Sequence, residues 1–86
     1  MTREIKVNGK KVKIEVFITV FDKRSDSPCD EFDSIKEAKY QYDSQDYYYR
    51  WSAAEYINED GDINVPFYAD KKSEAIAKLK SYLNIR

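Results

Sequence analysis

Apolar and polar side chains alternate through EIKVNGKKVKIEVFITVF, residues 4 to 21, on either side of an Asn8-Gly9 pair. A period of two is that of a β-strand with one buried face, and Asn-Gly is the preferred centre of a two-residue type I′ hairpin turn. The turn predicts Val7 opposite Lys10 and Ile5 opposite Val12. One face then collects Ile5, Val7, Val12, Ile14, Val16, Ile18 and Val20 as a core. The other carries Lys11, Lys13, Glu15, Phe17, Thr19 and Phe21, and its two phenylalanines need a cover.

The pattern stops in residues 22 to 33, DKRSDSPCDEFD, which read as a loop with Pro28 inside it. Ser34 and Glu37 then match a capping box, the serine accepting from the Glu37 N–H while that carboxylate reaches back. A helix follows with Ile35, Ala38 and Tyr42 on one side, fading near residues 43 to 46. Residues 47 to 57, YYYRWSAAEYI, support two readings. Ser52 and Glu55 also fit a capping box, but clustered aromatics suit a strand, as does the NEDGD turn ahead of Ile63, Val65 and Phe67 at period two. As a strand, Tyr47, Tyr49, Trp51, Ala53 and Ile57 face one way, and Tyr48, Arg50, Ser52, Ala54 and Tyr56 the other.

Pro66 has no N–H for a sheet ladder, so the last strand belongs at an edge. Asp70 is placed to cap a final helix whose apolar stripe is Ala75, Ile76, Leu79, Tyr82 and Leu83. The predicted order is β-β-α-β-β-α. It implies a single α+β domain over residues 1–86: two layers, with a four-stranded, mostly antiparallel sheet and two helices on one face.

Composition supports a sheet-borne core. Eight Ile and five Val stand against two Leu, with eight Tyr, four Phe and one Trp. Charge is more informative by region than in total. Residues 1 to 24 hold seven Lys/Arg against three acids, residues 25 to 62 three against eleven, and residues 63 to 86 five against two. An acidic middle between basic ends differs from the overall basic balance of a general nucleic-acid binder, and its acids could meet a basic groove on a partner, steering association by long-range attraction. No leader-like apolar segment follows Met1 and no run of 18 apolar residues occurs, so the expected setting is soluble and cytoplasmic.

The chain has no histidine, one cysteine and two glycines. Histidine-based triads, zinc and haem ligand sets, intrachain disulfides and glycine-rich phosphate loops therefore cannot be assembled. Cys29, beside Pro28 and followed by acids, lacks the cationic surroundings that make a thiolate. Counted from Asn58 as a calcium loop, Gly61 falls at the fourth place and Ala69 at the twelfth, where that motif needs the sixth and a glutamate. The expectation is a protein with no enzymatic activity and no cofactor or metal.

What remains is a face. Tyr48, Arg50 and Tyr56 share the side opposite the helices with Lys11, Lys13 and Phe17, and with Tyr68 from the edge strand. Tyrosine and arginine are frequent interface anchors, and bases also stack on sheet-borne aromatics flanked by cations. The leading expectation is a small monomeric or homodimeric binding protein that modulates or inhibits a larger protein or nucleoprotein by occupying its surface, away from membranes. Virus-encoded anti-defence proteins have a similar profile. The alternative is a nucleic-acid-binding domain using the same aromatic and basic face, since the second half resembles in outline small sheet-plus-helix DNA-binding modules.

Overall fold

The Asn8-Gly9 pair forms the expected turn, with φ of 52° and 79°. It joins β1 (Thr2–Val7) to β2 (Lys10–Asp22), and Val7 lies opposite Lys10 and Ile5 opposite Val12. The computed structural model describes residues 1–85 and continues with β3 (Ser27–Phe32), α1 (Ile35–Gln41), β4 (Tyr47–Glu55), β5 (Phe67–Ala69) and α2 (Lys72–Ile85). All strand pairs are antiparallel. β2 is the spine: β4 pairs along one side of it, while β1 and β3 follow one another along the other side, and β5 completes the sheet outside β4.

The aromatic segment is a strand because it lies between β2 and β5 and packs its alternate residues on opposite faces. Ile14, Val16, Ile18 and Val20 of β2 are fully buried, together with Ala53 and Ala69, beneath Ala75, Leu79 and Leu83 of α2 and Ala38 of α1. Both helices thus lie on the same face. Trp51 joins the two halves of this core, and Lys72 Nζ sits 5.3 Å from the centre of its ring. Tyr49 reaches the edge of the core and donates its hydroxyl to the Tyr42 carbonyl at the end of α1.

Five details differ from the sequence reading. Residues 22 to 33 contain β3, which raises the sheet from four strands to five and the order to β-β-β-α-β-β-α. This strand has no alternation to announce it: Pro28 pairs with Phe21 and Asp30 with Val20, leaving Cys29 as a bulge residue. β5 is only Phe67–Ala69, and upstream of it Ile63 makes a single bridge to Tyr56. Ile57, expected on the core side, is 63% exposed because β4 has ended. Asp70 does not cap α2, whose backbone bonding begins from Lys71 (Ala75 N–H to the Lys71 carbonyl, 3.1 Å). The Asp70 carboxylate pairs with Arg50 instead, at 3.3 Å. At α1, Ser34 does accept from the Glu37 N–H at 3.3 Å, whereas the return bond from the Glu37 carboxylate is not formed.

Candidate interaction surface

The sheet face turned away from the helices carries all seven candidate side chains, because strand alternation brings Lys11, Lys13 and Phe17 of β2, Tyr48 and Arg50 of β4, Tyr56 just beyond it, and Tyr68 of β5 to one side. They do not form one platform. At one end Phe21, only 7% exposed, is stacked on Tyr48 and met edge-on by Tyr68, each ring centre 5.1 Å away. The Tyr48 hydroxyl donates to Asp26 at 3.2 Å. Arg50 turns to Asp70, and its Nε is buried without a partner.

At the opposite end Tyr56 donates to Glu15 and shares a 3.1 Å hydrogen bond with the Thr2 hydroxyl, while Lys13 Nζ sits 5.0 Å from the centre of its ring. Lys11 is exposed one step further along β2. Glu15 also accepts from the Met1 ammonium, which reaches Asp33 at 3.1 Å and the Val16 carbonyl at 2.8 Å. Burial opposes the Glu15 charge, but the hydrogen bonds from the ammonium and from Tyr56 outweigh it and hold the carboxyl below its ordinary value. The same bond to Glu15 raises the Tyr56 hydroxyl; burial, then the bond to Asp26, raises Tyr48; and burial, then the charge of Glu31, raises Tyr68. All three therefore remain neutral donors at physiological pH.

Between the two ends the floor is low and mixed in character, and the apolar groups Phe32, Ile63, Val65 and Pro66 lie along its sides. Phe17 is 4% exposed, Ser52 and Ala54 are fully buried, and Thr19 shares a 2.6 Å hydrogen bond with Ser52. Bonds from Ile57 N–H to the Asp62 carbonyl (2.9 Å) and from Asn64 N–H to the Glu55 carbonyl (2.8 Å) fold residues 57 to 66 back beside this floor. A groove results, walled by β3 on one side and by Ile63 to Pro66 on the other. It comprises two adjoining cavities of about 430 and 600 Å³ that share Glu31 and Ile63.

The rim is acidic: Glu15, Glu31, Asp33 and Glu37 at one cavity, Asp30 and Glu31 at the other. The Met1 ammonium answers Glu15 and Asp33, and Tyr42 donates to Asp30 at 2.9 Å. Glu31 and Glu37 have no cationic partner among the described residues. Sequence reasoning assigns the face to aromatic and basic side chains; it reads the acidic middle as able to meet a basic partner but does not place these acids on this face. The only local signal of the rim is the run of acids at 30, 31 and 33, which carries no period and does not say which face it joins.

Burial, reinforced by Asp22 and Asp30, raises the exposed Cys29 thiol above its ordinary value, so it stays protonated. Among the described residues no group of three or more His, Cys, Asp and Glu side chains is placed to hold a metal, and no helix is long and apolar enough to cross a membrane. No protein-family model, curated protein or solved structure matches the chain.

Proposed function

We propose that the protein is a small non-enzymatic binding protein that modulates or inhibits a larger protein or nucleoprotein by occupying its surface with the open sheet face. The observation that carries this reading is the groove: a sunken floor on the sheet face turned away from the helices, apolar side chains of Ile63, Val65 and Pro66 along one wall, and at its rim the carboxylates of Glu31 and Glu37, which have no cationic partner among the described residues. Its complement is a protein segment with Lys or Arg side chains around an apolar centre. The negative rim would steer such a segment in by long-range attraction, and the apolar wall would hold it by burial.

The same geometry counts against nucleic acid as the primary partner. Arg50 is committed to Asp70, Lys13 to the Tyr56 ring, and Tyr48 is already stacked on Phe21, so few cations or free ring faces remain for phosphates and bases. The deciding experiment is affinity capture from the source organism, comparing nuclease-treated and untreated lysates and wild-type bait with Glu31→Lys/Glu37→Lys bait. A protein retained after nuclease treatment and lost from the reversed bait is the expected result. Capture that nuclease abolishes, or that Arg50→Ala removes while the reversed rim does not, would transfer the reading to nucleic acid.

A further inference from the structure

The sheet presents β5, with the short Tyr47–Arg50 stretch of β4 beyond it, on one side, and β1 and β3 in line on the other. An unpaired edge offers N–H and C=O groups to any extended chain, and folded proteins block such edges with charges, prolines and bulges. β5 is blocked. Lys78 Nζ donates to the Tyr68 carbonyl at 2.7 Å, and Pro66 just upstream has no donor. β3 carries Pro28, the bulge at Cys29 and the adjacent carboxylates of Asp30 and Glu31. β1 has neither proline nor bulge across Thr2–Val7, and among the described residues no strand or side chain bonds its outer side.

The hydrogen-bond phase of β1 follows from its turn. In a two-residue hairpin the flanking residues, here Val7 and Lys10, exchange both backbone bonds, so Val7, Ile5 and Arg3 point their N–H and C=O groups at β2. The Val16 N–H to the Met1 carbonyl (2.9 Å) and the Met1 ammonium to the Val16 carbonyl (2.8 Å) continue the same phase. Thr2, Glu4 and Lys6 therefore point theirs outward.

Two copies related by a twofold axis can join antiparallel only where outward residues oppose outward residues, which places a single residue on the axis. With Arg3, Glu4 or Lys6 on the axis, identical charges face each other, an unfavourable juxtaposition. With Ile5 on the axis, Ile5 meets Ile5 on the helix side, and Glu4 of each copy meets Lys6 of the other on the open side. Neither Glu4 nor Lys6 has an ion-pair partner within its own chain among the described residues. We propose that β1 is a self-association edge joining two copies in this register. The two sheets become one, with both open faces on the same side. The charges that exclude other registers and foreign strands make this one self-complementary.

The test is sedimentation equilibrium of the purified chain over about 10 µM to 1 mM, the range suited to a weak interface. The expected result is a reversible monomer–dimer equilibrium. Glu4→Lys and Lys6→Glu should each weaken it by about tenfold or more, and an equimolar mixture of the two variants should recover it, because an all-lysine edge then meets an all-glutamate edge. Glu4 also faces Lys13 across the hairpin, so Glu4→Lys carries a risk to folding. Lys6→Pro supplies a second route: it removes an outward donor, leaves the bonds to β2 intact, and should weaken association equally. A chain that is monomeric throughout the range, a dimer indifferent to Lys6→Glu and Lys6→Pro, or a mixture of folded charge variants no better than its components would overturn the proposal. None of these readouts involves the groove or its partner.

Discussion

Thr19 and Ser52 show how a single pair of side chains shapes the open face. Both are buried where no helix lies above them, and their hydroxyls satisfy one another at 2.6 Å. Larger residues there would fill the groove floor, and one hydroxyl without the other would be a buried polar group without a partner. Thr19→Val is therefore expected to cost about 1 to 3 kcal/mol in denaturant unfolding, and the Thr19→Val/Ser52→Ala pair to recover part of that loss. Strand alternation assigns these residues to the open face from sequence alone. Their burial cannot be read that way, because it depends on β3 and on residues 57 to 66 folding alongside.

At the scale of elements, the hairpin and α2 are the most local. Asn8 and Gly9 both adopt positive φ, as the Asn-Gly pair signals. A Cβ added at Gly9 would meet nothing within 4 Å, so the cost of a side chain there is conformational only. Gly9→Ala should destabilise the fold by about 1 kcal/mol, read from the shift in urea midpoint, and Asn8→Gly should be close to neutral. In α2 the spacing of Ala75, Leu79 and Leu83 marks the buried stripe directly. β4 and β3 are decided differently. The pattern of residues 47 to 57 fits a capping box as well as a strand, and pairing with β2 and β5 resolves it. β3 has no period at all and is held by its register against Ile18 to Asp22.

Over the whole molecule, one network ties separate elements together. Glu15 of β2 gathers the Met1 ammonium and the Thr2 hydroxyl from the chain start and the Tyr56 hydroxyl from beyond β4, while the same ammonium reaches Asp33 ahead of α1. Because the folded state holds the Glu15 carboxyl below its ordinary value of 4.5, this contribution to stability is complete above that value and is lost as the pH falls through the lower, folded one. The melting temperature should therefore decline on acidification below about pH 4.5, and Glu15→Gln should show a shallower decline from a lower starting point, as thermal unfolding monitored by circular dichroism would reveal.

Local pattern was sufficient for the Asn8-Gly9 turn, for the division of β2 into a core face and an open face, and for α2, because each follows from the geometry of neighbours in the chain. Once pairing makes residues 47 to 55 a strand, alternation brings Lys11, Lys13, Phe17, Tyr48, Arg50, Tyr56 and Tyr68 to one side. Tertiary structure alone decided that Phe17 is sunk below the surface, that Arg50 and Tyr48 are taken up by Asp70 and Asp26, and that the acids of residues 30 to 37 rim a groove. These depend on which strand lies beside which, and antiparallel pairing between residues far apart in the chain leaves no period in either segment by itself.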